Sequence, residues 1–195
     1  MTILVISPPS TFLTLADAKA QLNVTWTSQD AYIQTLVDAA CSHIDGASGQ
    51  FGRSFNSQTL ELRTDTFCDP IRLFYGPVQS ITSVRYLDSS GTEQTISSAN
   101  YVCEGDVLSL VSGATWPTPV TQAGAVRVRY VAGDGVIPAA VMAAAKIMVT
   151  DLFEMRASMV GGTKTKVDTS ATFDRLMSPF KIGRASCRER VSSPV

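Results

Sequence analysis

A chain of 195 residues is long enough for one domain, or for one domain carrying an insertion. At 45% hydrophobic and 17% charged it can bury a real core, which sets it apart from disordered chains. A formal net charge of −1 argues against a dedicated nucleic-acid binder, whose footprint is a strongly basic face.

No apolar run approaches the ~20 residues needed to span a bilayer, so no membrane partner is expected. The opening MTILVISPPS has a short apolar stretch but lacks the basic segment of a secretory signal. The expectation is a soluble protein made and used in a cytoplasm. Cys41, Cys68, Cys103 and Cys187 form no C-x-x-C pair, and His43 is the single histidine. Zinc wants about four closely organised Cys and His ligands, so free thiols in a reducing compartment are the simpler account.

The first helix is predicted to begin at Thr14, because Thr14-Leu-Ala-Asp17 fits a capping box. Leu15, Ala18 and Leu22 follow at helical spacing, and Asn23 can close the helix. A second helix follows TWTSQD, with Thr27 or Ser28 as its cap. Tyr32, Leu36, Ala40 and Ile44, with Ile33 and Val37 beside them, make a wide apolar stripe that Gly46 and Gly49 end.

From about Phe55 to Val131 the period changes to two. TLELRT, QSITSVRYLD, EQTIS, NYVCE, DVLSL and AVRVRYV read as six short antiparallel strands, separated by Asp88–Gly91, Gly105-Asp106 and Pro117/Pro119. A long helix then starts behind Pro138 and runs to about Ala157. Its apolar surface extends most of the way round from Val141 to Phe153, so it is buried on more than one side, against the core or against another subunit. Met142, Met148, Leu152 and Phe153 are the candidates for that core or oligomer interface. After a loop rich in Gly, Thr and Lys, a last helix capped by Thr169 or Ser170 presents Phe173, Leu176, Met177 and Phe180.

The fold class expected is α+β: a small helical bundle with an inserted antiparallel β-sheet or sandwich. The helical part takes residues 1–54 and 133–181, and the β part takes 55–132. Residues 182–195 change character abruptly. Ile182 to Val191 is what ATC GGA AGA GCG TCG TGT AGG GAA AGA GTG spells, the in-frame reading of a common sequencing adaptor. This tail is expected to lie outside the fold and to stand where the natural C-terminal sequence would be. Without it the formal charge is −3, and three cysteines remain.

Catalytic signals are lacking. Cys41 and His43 stand at i and i+2 of a helix, positions that do not face each other, so a Cys–His dyad is disfavoured. GGTKTK at Gly161 to Lys166 lacks phosphate-loop spacing and follows a helix rather than a strand; a solvated loop is the simpler reading, with Lys164 and Lys166 the candidates for contact with a passing nucleic acid. Asp65 and Asp69 flank Cys68, and Glu104 and Asp106 sit on a tight turn, with no pattern for a metal. No catalytic residue, cofactor or metal site is expected, and the chain is read as not an enzyme.

Three ordered stretches resemble the head–tail connector (adaptor or head-completion) family of tailed bacteriophages and gene transfer agents. They are FLTLADAKAQLNV with DAYIQTLVDAACSHIDGASGQ, then GPVQSITSVRYLDSSGTEQTISSANYVCEG, then VRVRYVAGDGVIPAAVMAAAKIMVTDLFEMRAS. The resemblance covers most of residues 11 to 181. It implies a structural virion protein, made in the bacterial host cytoplasm, that forms a homo-oligomeric ring matched to the twelve-fold portal vertex. It further implies contact with the portal protein and the next neck or tail-completion protein, with DNA passing through the lumen without sequence readout. By resemblance, the segment Phe173, Leu176, Met177 and Phe180 is the candidate for portal contact. The alternatives are another neck or tail-completion protein of the same virion, or a non-viral β-rich binding module with helical flanks.

Overall fold

The computed structural model describes residues 1–47, 49–155 and 169–180. It has four helices and two antiparallel sheets, so the class is α+β. In chain order the strands are β1 (Thr2–Ser7), β2 (Gln58–Thr64), β3 (Ile71–Arg72), β4 (Val78–Leu87), β5 (Glu93–Ile96), β6 (Tyr101–Glu104), β7 (Val107–Leu110) and β8 (Val126–Ala132). The helices are α1 (Leu15–Leu22), α2 (Asp30–Ile44), α3 (Ala139–Glu154) and α4 (Thr169–Met177), the last continuing into a 3-10 turn at Ser178–Phe180.

The five-stranded sheet runs β1-β2-β8-β4-β5, and the three-stranded sheet runs β3-β7-β6. Strand β8 is central and alternates without a fault: Val126, Val128, Tyr130 and Ala132 are buried, while Arg127, Arg129 and Val131 face the other way. Leu60, Leu62, Val84, Val128 and Tyr130 from the large sheet meet Ile71, Leu73 and Leu108 from the small sheet and its flank, forming one sandwich core. The Tyr130 hydroxyl donates to the Phe74 carbonyl at 2.8 Å, and burial pushes its pKa up to about 12.

A second core belongs to the helices. Ala18 of α1, Ile33, Val37, Ala40 and Ile44 of α2, Val141, Ala144, Ala145 and Val149 of α3, and Met177 of α4 pack together. The α1 cap forms as its motif predicts: the Thr14 hydroxyl accepts from the Asp17 N–H at 3.1 Å, and Asn23 closes the helix in the left-handed region at φ 54°. Lys19 of α1 donates to Asp30 at the head of α2 at 2.6 Å.

Two details differ from the sequence reading. Residues Thr2–Ser7 form an edge strand on β2, although the 1–54 segment was expected to be helical. Helix α2 starts at Asp30, with Gln29 at its cap instead of Thr27 or Ser28, and the Asp30 N–H donates to the Thr27 carbonyl at 3.1 Å. Helix α3 starts directly behind Pro138, as expected; Pro138 itself has extended backbone, and its carbonyl accepts from Val141 and Met142 at 2.9 and 3.1 Å.

The two cores join where the chain crosses between them. Buried Asp45, past the end of α2, accepts the backbone N–H groups of Phe55 at 2.6 Å and Asn56 at 3.0 Å. Ser54 donates its hydroxyl to the Tyr75 carbonyl at 2.6 Å and accepts from the Gln58 amide at 2.5 Å. On the return crossing, Gly133 donates to the Pro77 carbonyl at 2.8 Å and Gly135 to the Phe55 carbonyl at 3.1 Å.

Candidate interaction surfaces

The residues with catalytic chemistry are kept apart or spent on structure. Cys41 is buried in the helical core, where loss of solvent raises its thiol pKa. His43 is exposed and hydrogen-bonds Gln50 at 3.0 Å, so it does not serve the thiol. Asp65 accepts from Gly124 N–H at 2.7 Å, and Asp106 accepts from Val78 N–H at 3.0 Å, so both carboxylates hold turns. A cleft of about 220 Å³ lies between Pro8, Pro9, Cys41, Asp45 and Gln58. Its one buried carboxylate, Asp45, already holds Phe55 and Asn56. Among the described residues no group of His, Cys, Asp or Glu could hold a metal ion, and no helix is long and apolar enough to cross a membrane.

Helix α3 divides its apolar residues between two destinations. Val141, Ala144, Ala145 and Val149 are fully buried, and Met142, Met148 and Phe153 pack half-buried against the same core. Phe153 also meets the Tyr32 ring at 6.2 Å between centroids. Leu152 remains 37% exposed and Met155 53% exposed, beside Asp151 and Glu154. The last turns of α3 therefore offer an apolar pair framed by two carboxylates.

Helix α4 lies with its apolar side inward. Met177 is fully buried, Phe173 meets Phe51 at 6.1 Å, and Phe180 meets Phe55 edge-on at 5.6 Å. Leu176 packs on the same core. In this position the four residues close the chain's own fold, and the side of α4 that faces out carries Ala171, Thr172 and Arg175. Lys164 and Lys166 lie outside the described residues.

The outer face of the five-stranded sheet carries a feature that the sequence reading did not pick out. In register, Arg63 of β2 stands across from Arg127 of β8, which stands across from Arg85 of β4. Like charges directly opposite on neighbouring strands repel. Arg129 follows two residues along β8, opposite Glu61 and Ser83. Glu61 is only 4% exposed and takes Arg63 at 2.8 Å and Arg129 at 2.7 Å. Burial would raise its pKa, but the hydrogen bonds and charges of Arg129 and Arg63 together outweigh burial and hold it low. Glu93 of β5 is shared between Arg127 at 3.3 Å and Arg85 at 3.6 Å. Two carboxylates thus serve four guanidinium groups, and the Nε atoms of Arg85 and Arg127 are shielded from solvent without an acceptor. The signal lay in the alternating arginines of LELRT, SVRYL and VRVRY, which meet only once the register is known.

No family model matches the chain, and no curated protein sequence does. Solved structures do match. A chain in the neck of an empty gene transfer agent particle computed with C6 symmetry is 20% identical, with a TM-score of 0.69 over 90% of this chain and 95% of that one. A chain in the virion of a native gene transfer agent particle is 21% identical, again at 0.69 over the same shares. The protein has the fold of these particles' chains. A third match, in the neck of a native particle computed with C12 symmetry, has a TM-score of 0.63 at 20% identity over 90% and 94%. Because the neck fold extends over nearly all of both chains, it includes the helical layer and the sandwich together. Within that fold, this chain carries the arginine face, the Leu152–Met155 end of α3 and the exposed Val5 and Ile6 of edge strand β1.

Proposed function

We propose that the protein is a structural, non-enzymatic neck adaptor of a tailed phage or gene transfer agent particle. In this reading it forms a ring beneath the portal, joins the DNA-filled head to the tail and lets DNA pass. One observation carries the reading: the match to chains of gene transfer agent necks spans 90% of this chain and 95% of its counterpart. Two further features support it. The exposed Leu152 and Met155 give α3 a surface suited to another protein chain, and the C6 and C12 symmetries of the matched necks are those of rings.

The α4 segment is assigned to the portal. Because Phe173, Leu176, Met177 and Phe180 are engaged with the chain's own core, that contact uses the outward side of α4 or needs the helix to undock. Lys164 and Lys166 are assigned to DNA in the lumen.

Removing the gene from a producing strain is expected to give filled heads and separate tails, visible by electron microscopy. A Leu152→Asp chain is expected to fold, as judged by circular dichroism, yet fail to restore tail attachment. Met148→Asp, by contrast, places an unpaired charge against the helical core and is expected to lose the fold itself. Intact tailed particles in the deletion strain would remove the protein from the neck.

A further inference from the structure

We propose that the arginine face of the five-stranded sheet docks on the α3 end of a second copy of this chain, Arg85 and Arg127 receiving Asp151 and Glu154. This rests on the ring reading and says which two surfaces close the ring.

The argument begins with charge. Four arginines against two glutamates leave this face positive on a chain whose formal net charge is −1, so the rest of the surface is correspondingly acidic. The side chains of Arg63, Arg85, Arg127 and Arg129 are 34–42% exposed, within reach of a partner and partly desolvated already. Within the chain, the row Arg63–Arg127–Arg85 sets like charges side by side. A carboxylate arriving from a neighbour relieves that repulsion. With a small rotation of the guanidinium it also accepts from the unmatched Nε together with an Nη of Arg85 or Arg127.

The complementary surface is on the same chain but in the other layer. Asp151 and Glu154 make no ion pair among the described residues, and they flank exposed Leu152 and Met155. Arginine stems are apolar along most of their length, so Leu152 and Met155 can lie across them while the carboxylates meet the guanidinium tips. Two different surfaces that recognise each other make a head-to-tail contact, which closes into a ring when the rotation per subunit allows. Nucleic acid fits this face less well. Glu61 and Glu93 stand beside the positive row and already pair with its arginines, whereas a phosphate backbone favours a basic track free of carboxylates.

The test uses the full chain in four forms: wild type, Arg85→Glu/Arg127→Glu, Asp151→Arg/Glu154→Arg, and an equimolar mixture of the two variants. Self-association is read by sedimentation up to millimolar concentration, with circular dichroism confirming the fold. Arg85→Gln/Arg127→Gln replaces the first variant if Glu93 unsettles it. Each variant alone is expected to associate at least about tenfold more weakly than wild type, and the mixture is expected to regain association, since each supplies the face the other lacks. A wild-type chain that stays monomeric, variants that associate as wild type does, or a mixture that fails to recover would each overturn the pairing. The neck reading would survive those results, because tail attachment tests it separately. DNA retained at 150 mM salt by wild type, and lost only from the arginine variants while self-association is unchanged, would give the face to nucleic acid instead.

Discussion

Asp45 and Asp88 show how the same side chain is used in opposite ways. Asp45 is buried; burial raises its pKa, and the N–H groups of Phe55, Asn56 and Gly46 only partly offset that. Asp88 stands at the β4–β5 turn and gathers the Ser90 hydroxyl at 2.5 Å, the Gln94 amide at 2.9 Å and the Thr92 N–H at 3.0 Å. Led by the Ser90 hydroxyl, these donors hold its pKa at about 2, below the ordinary aspartate value of 3.8. The folded chain therefore binds this proton less tightly than the unfolded one. Ionised Asp88 favours the turn above pH 3.8, and the contribution is lost as pH falls from 3.8 towards 2. A carboxyl titration followed by NMR is expected to show a midpoint near 2 for Asp88, moving towards 3.8 in Ser90→Ala. An unmoved midpoint in that variant would deny the hydroxyl its leading part.

Among the elements, the crossing between the layers is the least tolerant. Gly133 follows β8 directly at φ +89°, and a Cβ there would lie 2.1 Å from the Asn56 carbonyl oxygen. Gly133→Ala must therefore move backbone in a place where Asp45 and Gly135 fix both neighbouring segments. A loss of roughly 2–5 kcal/mol in chemical denaturation is expected, from strained φ and overpacking together. Loss of less than about 1 kcal/mol would mean that the crossing yields more easily than its hydrogen bonds suggest.

The elements also differ in how openly the sequence announces them. Strand β8 was legible because a central strand with one face on the core must alternate, and VRVRYVA does. Helix α1 was legible because its cap and its closing Asn23 are local chemistry. Strand β1 was not, since TILVIS shows no alternation and its strand character comes from pairing with β2, more than fifty residues away. Strand β3 has two residues and too little pattern to detect. Helix α3 read as apolar nearly all round, and only packing shows that Met148 turns towards the core while Leu152 is left outside. The arginine row was invisible for a similar reason: it is made by register across β2, β8 and β4, and no single segment contains it.

At the scale of the molecule, a sandwich and a helical layer, each with its own core, give the chain two unlike exteriors. One is the arginine-bearing sheet; the other is the α3 end with its two carboxylates and exposed Leu152 and Met155. Among the described residues, these charged and apolar faces suit contact with other protein chains, as the proposed neck role requires. A cryo-electron microscopy reconstruction of the neck from particles that carry this chain tests the central claim most directly. The account predicts a closed ring of copies between head and tail, twelve if it follows the C12 symmetry of the matched neck, with the sheet of each copy against α3 of the next. A complete neck whose density leaves no place for this fold would contradict it.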